Sequence, residues 1–213
     1  MHIPDGFLDL STAASTYAVS AAGVGIGLRQ VGKKLGERQV PVMGVMGAFI
    51  FAAQMLNFPI AGGTSGHLIG AALAAVLLGP WAAAIVMSCV LIIQSLLFQD
   101  GGLGALGANV LNMALVAPFV AYFFYRAIRW LVPGQKAAFW AAFVGAWTSV
   151  VAASSLCALE LAVSGTSSAK VALPAMIGIH ALIGLGEGAV TVAVLSVVAA
   201  TRRELLEPQR ASA

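Results

Sequence analysis

PWAAAIVMSCVLIIQSLLF (residues 80–98) carries no charged side chain, opens on a proline and runs into the polar turn QDGG. As a helix it is about 28 Å long at a rise of 1.5 Å per residue, close to the roughly 30 Å of a bilayer's hydrocarbon core. An apolar run of this length reads as a membrane-crossing helix. The rest of the chain fits that reading. Hydrophobic residues make up 60% of the 213 and charged residues 9%, with a mean hydropathy of +0.96. Soluble domains carry about 25% charged residues, so a water-exposed globular surface is excluded. The charges gather in three clusters, from Arg29 to Arg38, Arg126 to Lys136 and Arg202 to Arg210. A net charge of +3 is then what the cytoplasmic loops of a polytopic protein contribute, not a sign of nucleic-acid binding. Cys89 and Cys157 both fall inside apolar runs, have no metal-ligand spacing, and read as small buried hydrophobes.

Working outward from residues 80–98, the basic clusters orient the chain. Residues 11–28 form a first apolar span, and Arg29, Lys33, Lys34 and Arg38 behind it mark a cytoplasmic loop. No basic side chain other than His2 precedes that span, so it reads as a retained helix and not a cleaved signal peptide. Met1 is then expected to remain, with a free amine. Residues 41–56 return outward, and 57–66 (NFPIAGGTSG) break the helix. Residues 67–79 form a short helix of about 20 Å. After 80–98 and a second glycine-rich stretch, 99–107, come spans at 108–125, 137–163 and 171–200. The expected fold is an all-α membrane protein of seven transmembrane helices, N-terminus outside and C-terminus cytoplasmic. It is expected to be one domain: a tail at 1–10, a bundle at 11–200 and a cytoplasmic tail at 201–213. A six-helix count with a re-entrant segment is the alternative. Because 67–79 is too short to cross, NFPIAGGTSG is expected to dip into the bundle and leave His67 at the floor of an outward-facing pocket.

The chain has three histidines, His2, His67 and His180, and the orientation puts the first two on the outer side. A free amine followed by histidine is a compact chelator. The Met1 amine, the His2 backbone nitrogen and a His2 ring nitrogen close five- and six-membered rings around one point. One imidazole from His67 would complete a square. Square-planar nitrogen donors select Ni(II) or Cu(II), with low-spin Co(II) also suited, over Zn, Mg or Ca. The bland reading is an exposed terminal histidine and a packing or capping histidine at a helix start. Pro4, Asp5 and Gly6 form a turn that folds the tail back, with Phe7 and Leu8 as a plug. Asp5 either accepts a hydrogen bond from a ligand's far ring N–H or is a solvated turn residue or helix cap. His180 and Glu187 share a helix face, as groups gating the pocket or as a hydrogen-bonded interhelical pair. Asn57, Gln94, Asp100, Asn109 and Asn112 support the pocket or cap helices, and Glu160 is expected at the interface.

MHIPDGFL (1–8), GTSGHLIGAALAAVLLGP around His67, QDGGLGALGANVLNM (99–113) and GIHALIGLGEG (178–188) together resemble the cobalt/nickel substrate-binding component of energy-coupling-factor transporters, the CbiM/NikM type. The resemblance spans about residues 1–200. It implies seven helices and one transported ion, Ni(II) or Co(II), held by the Met1 amine, the His2 backbone and side chain and the His67 ring. No cofactor is implied. Cobalt-type members more often carry Met-Glu where this chain has Pro4 and Asp5, which points toward nickel.

The sequence has no G-x-x-x-x-G-K-[ST] loop to hydrolyse ATP and no chain of membrane carboxylates to carry protons. Work for release must come from elsewhere. The resemblance implies a transmembrane coupling protein, a pair of cytoplasmic ATPases and sometimes a small accessory membrane protein, all at the bacterial cell membrane. The stripes Gly44, Gly47 and Ala48, and Ala71, Ala72, Ala74 and Ala75, permit close helix contact. The competing readings are a self-sufficient channel or secondary carrier and, further off, a membrane metalloenzyme. The last lacks any HExxH spacing, and the chain reads as a non-enzyme.

Overall fold

The computed structural model describes residues 1–34, 39–60, 64–202 and 205. Arg38, Arg203, Arg210 and the centre of the 57–66 segment lie outside the described residues. The described residues form seven helices in succession: α1 Leu10–Lys34, α2 Gln39–Gln54, α3 Ala71–Leu78, α4 Pro80–Leu97, α5 Leu106–Leu131, α6 Gln135–Val163 and α7 Ala169–Thr201. Among the described residues, α4, α5, α6 and α7 are long and apolar enough to cross a membrane by length and composition. Between α2 and α3 lie two short antiparallel strands, β1 Phe58–Ile60 and β2 Thr64–Gly66.

The starts follow from local chemistry. Asp9 caps α1, its carboxylate accepting the amides of Ser11 at 3.1 Å and Thr12 at 3.3 Å, as short acidic side chains do at helix starts. That cap is Asp9 and not Asp5. Pro80 opens α4, where a missing N–H costs nothing. α1 does not stop at residue 28 but continues through Arg29 and Lys33, since basic residues are good helix formers. α5 widens into a π turn over Leu111–Val116. It precedes Pro118, whose ring would crowd the carbonyl four residues back. Such turns frequently mark functional sites.

The core draws its buried apolar side chains from α2 to α7, and α1 adds only the partly buried Val24. α3 is apolar on every side, and Ala71, Ala72, Leu73, Ala74 and Ala75 are all buried; an all-round apolar helix belongs inside a bundle. α5 and α6 touch backbone to backbone, for a Cβ on Gly145 would lie 2.7 Å from the Ala121 carbonyl oxygen. Cys157 is buried, but Cys89 is exposed on the outside of α4, and both are free thiols. The buried reading of Cys89 is therefore wrong: in an evenly apolar helix no polar face marks which side meets lipid. Glu160, expected at the interface, is packed inside the protein. It is buried, and Oε2 accepts a hydrogen bond from Asn112 Nδ2 at 2.6 Å; the π turn carries Asn112.

Candidate functional site

The first three residues are inside the protein. Met1 and Ile3 have no exposed surface and His2 has 4%. Burying the Met1 and Ile3 side chains each contributes about 1.5–3 kcal/mol, which anchors the amine between them. The tail is then fixed by its own backbone. Asn109 Oδ1 accepts the Ile3 N–H at 2.8 Å while Asn109 Nδ2 donates to the Ile3 carbonyl at 3.1 Å. Gly102 N–H reaches the same carbonyl at 2.9 Å. Gly102 is required there, because a Cβ would run into the Asp5 backbone and carboxylate. The plug is Met1 to Ile3; Phe7 and Leu8 only flank it, partly buried.

The amine meets Ser65. It donates to the Ser65 carbonyl and stands 3.2 Å from Ser65 Oγ, and the His2 N–H points to the same Oγ at 3.3 Å. The sequence explains why that carbonyl is free. In the hairpin Ser65 faces Pro59, which has no N–H to offer. The pair is therefore of the non-hydrogen-bonded kind, whose amides and carbonyls turn away from the partner strand. The outer edge of β2 is open, and Met1 occupies it.

His2 and His67 stack, with ring centroids 4.6 Å apart and planes at 22°. His67 is not on a helix, as expected from 67–79, but in the turn before α3, and its exposure is 1%. Its Nδ1 lies 2.7 Å from the Leu68 carbonyl. A carbonyl only accepts, so Nδ1 carries the hydrogen and Nε2 the lone pair. Nε2 is buried and has no partner. His2 is the converse. Its Nε2 donates to Gln94 Oε1 at 3.1 Å, leaving the lone pair on Nδ1, the ring nitrogen that can close a six-membered chelate with its own backbone nitrogen. His2 Nδ1 has no hydrogen-bond partner but lies 3.2 Å from Asp100 Oδ1. Asp100 is in turn held by Asn57 Nδ2 at 2.9 Å.

Burial lowers the Met1 amine from its ordinary value of 8.0 to about 5, against the opposing pull of Cys157 and Asp100. Burial also lowers both imidazoles, His67 well below its usual range, with the neighbouring amine and His2 adding to the effect. Burial raises the Asp100 carboxyl, but His2, the amine and Asn57 outweigh it and leave it below its usual value. The site is a buried set of neutral nitrogen bases beside an ionised carboxylate.

Asp5 does not serve the rings. It accepts the Gly104 amide at 2.6 Å, and Asp100 is the carboxylate beside His2. His180 and Glu187 are not bonded to each other. His180 Nδ1 donates to the Met176 carbonyl of its own helix at 2.8 Å and its Nε2 is buried without a partner. Glu187 instead accepts the amides of Ile69 and Gly70. Each found a nearer backbone partner, which their shared helix face could not reveal. Ser65 and Gln54, whose Nε2 donates to the Ile69 carbonyl at 2.6 Å, were not legible as contributors. Among the described residues no three His, Cys, Asp or Glu side chains cluster as a metal site; two of the three neutral bases gathered at Met1 and His67 are imidazoles and the third is the main-chain amine.

The family model described as "Cobalt uptake substrate-specific transmembrane region", CbiM, matches residues 2–205. A protein of Archaeoglobus fulgidus, provisionally named a fused nickel transport protein, NikMN, is 46% identical over 99% of this chain and 70% of its own length. The fused nickel transport protein NikMN of Rhodobacter capsulatus is 37% identical over 100% of this chain and 66% of its own. A crystal structure described as a truncated transition metal transporter superposes with a TM-score of 0.88 at 37% identity, covering 93% of this chain and 98% of the other. These relatives are metal-transport proteins, not enzymes. The chain belongs to the CbiM family, membrane components of cobalt and nickel transport.

Proposed function

We propose that the chain is the substrate-capture subunit of an ATP-driven Ni(II) or Co(II) importer. The ion is bound by the Met1 amine, the deprotonated His2 backbone nitrogen, His2 Nδ1 and His67 Nε2 in a square-planar set. The observation that carries this reading is the juxtaposition at the tail: a buried amine and two stacked imidazoles, each with an unshared lone pair. Square-planar nitrogen donors suit Ni(II) and low-spin Co(II). Asp100 and the backbone anion would balance the ion's charge, and Gln94 fixes the His2 tautomer, the usual role of a ligand's far-side partner.

The single membrane unit crosses seven times, with the tail outside and the C-terminus in the cytoplasm. The basic ends of α1, α5 and α7 support this through the positive-inside bias. Partners are a transmembrane coupling protein and a pair of cytoplasmic ATPases, with a small accessory protein in some assemblies, in the bacterial inner membrane. In liposomes the chain alone is expected to bind Ni(II) without moving it, and transport is expected only with the ATPase pair and ATP present. Uptake by the chain alone would make it a channel or secondary carrier.

The pH dependence follows from the neutral bases. Metal competes with protons at its ligands. With the amine lowered to about 5 and the imidazoles lowered as well, only the His2 amide proton is released near neutrality. Affinity for Ni(II) is expected to fall as the pH is lowered from 8, and more steeply once it nears about 5, where the amine takes up its proton. A slope of two protons already at pH 7, measured by titration in a series of buffers, would contradict the buried neutral amine.

A further inference from the structure

Glu187 is 2% exposed on α7, and both of its oxygens are committed to one turn of another segment. Oε2 accepts the Ile69 amide at 2.8 Å and Oε1 the Gly70 amide at 2.6 Å. These amides stand at the start of α3, where helix geometry leaves N–H groups without a partner and favours negative charge. The same turn is held from the opposite side by Gln54 of α2 through the Ile69 carbonyl. Gly70 adopts φ 78°, and a Cβ there would lie 2.7 Å from the Ile50 side chain. The turn is thus tightly packed, and the Glu187 carboxylate ties it to α7. Two residues before Ile69 is His67, whose ring is oriented by the Leu68 carbonyl of the same turn.

We propose that Glu187 is the positioning residue for His67. By clamping the amides of Ile69 and Gly70 it sets where the Nε2 lone pair points, and it makes the seating of α7 a condition for the fourth nitrogen of the site. This rests on the four-nitrogen reading above and adds a handle for release. A shift of α7 would withdraw His67 from the ion while Met1 and His2 stay tied to Ser65, Asn109 and Gly102, none of which α7 contributes. A carboxylate is needed because a glutamine in its place has one acceptor oxygen for two amides.

The test is a double-mutant cycle read by Ni(II) titration of the purified protein. Glu187→Ala is expected to weaken binding about 10–100-fold, the usual effect of removing a group that orients a metal ligand, and Glu187→Gln by less. In a His67→Ala background neither change should weaken binding further, because the residue through which Glu187 acts is gone. An equal loss in both backgrounds would show a general structural effect and overturn the proposal, as would unchanged affinity in Glu187→Ala. Should Glu187→Ala not fold, Glu187→Gln carries the same comparison. If His67→Ala alone keeps the affinity of the parent, the four-nitrogen reading itself fails. If only the Glu187 variants behave alike in both backgrounds, that reading stands and the clamp does not.

Discussion

Protein carrying one extra residue ahead of Met1, or acetylated at the Met1 amine, is expected to lose Ni(II) and Co(II) affinity by more than the roughly 100-fold that removal of an orienting partner costs. The two changes act differently. An acetylated nitrogen keeps an N–H for the Ser65 carbonyl but loses its basic lone pair, and the acetyl group, smaller than a residue, asks less room of the buried seat. An added residue must also find room where Met1 has no exposed surface, so it strains the seat as well. In both cases helix content should hold, because the helices do not depend on the amine, and a residue added at the C-terminal end should change nothing. Isothermal titration with matched preparations separates these outcomes. Parent-like affinity in the acetylated protein would remove the amine from the ligand set.

Replacing His67 by alanine is the second large effect. It deletes a ring that is 1% exposed, together with the buried Nε2 that has no partner in the protein. A water oxygen in its place gives a weaker ligand field, so the visible absorption of the Ni(II) complex should move to longer wavelength and affinity should drop more than about 100-fold, past the outer-shell range. Some stability will be lost too, since the stacking with His2 goes with the ring. Free imidazole should recover part of the parent spectrum, which a merely structural defect would not allow. Retention of the parent spectrum would transfer the ligand role elsewhere, with His180 Nε2 the buried, unpartnered imidazole nitrogen outside the proposed set.

Much of this was legible in the chain. α4, α6 and α7 lie within two residues of their expected bounds, because Pro80, the GTSS turn and flanking charges punctuate otherwise unbroken apolar runs. Met1, His2 and His67 could be singled out because terminal chelation and a histidine beside a glycine-rich break are local patterns. The supports were not local. Ser65 is available only because Pro59 faces it across the hairpin, a register that no spacing rule fixes. Asp100 and not Asp5 stands beside His2, and this depends on how the 98–105 segment folds over the tail. Glu187 reaches backbone 117 and 118 residues away in sequence, and a side chain that bonds to main chain leaves no residue-type signature at the other end. The π turn of α5, which aims Asn112 at Glu160, has no sequence mark beyond Pro118.

The clasp around Ile3 and Met1 also bears on how the chain reaches its final state. Its contacts join positions 63 to 156 residues apart: Ser65 to the amine and His2, Asn109 to Ile3, Cys157 to the Met1 carbonyl. Links of such span are slow to form because distant parts must first be brought together. The Met1–Ile3 segment is therefore the last to lock, and metal competence should appear only at the end of assembly, lagging the acquisition of helix.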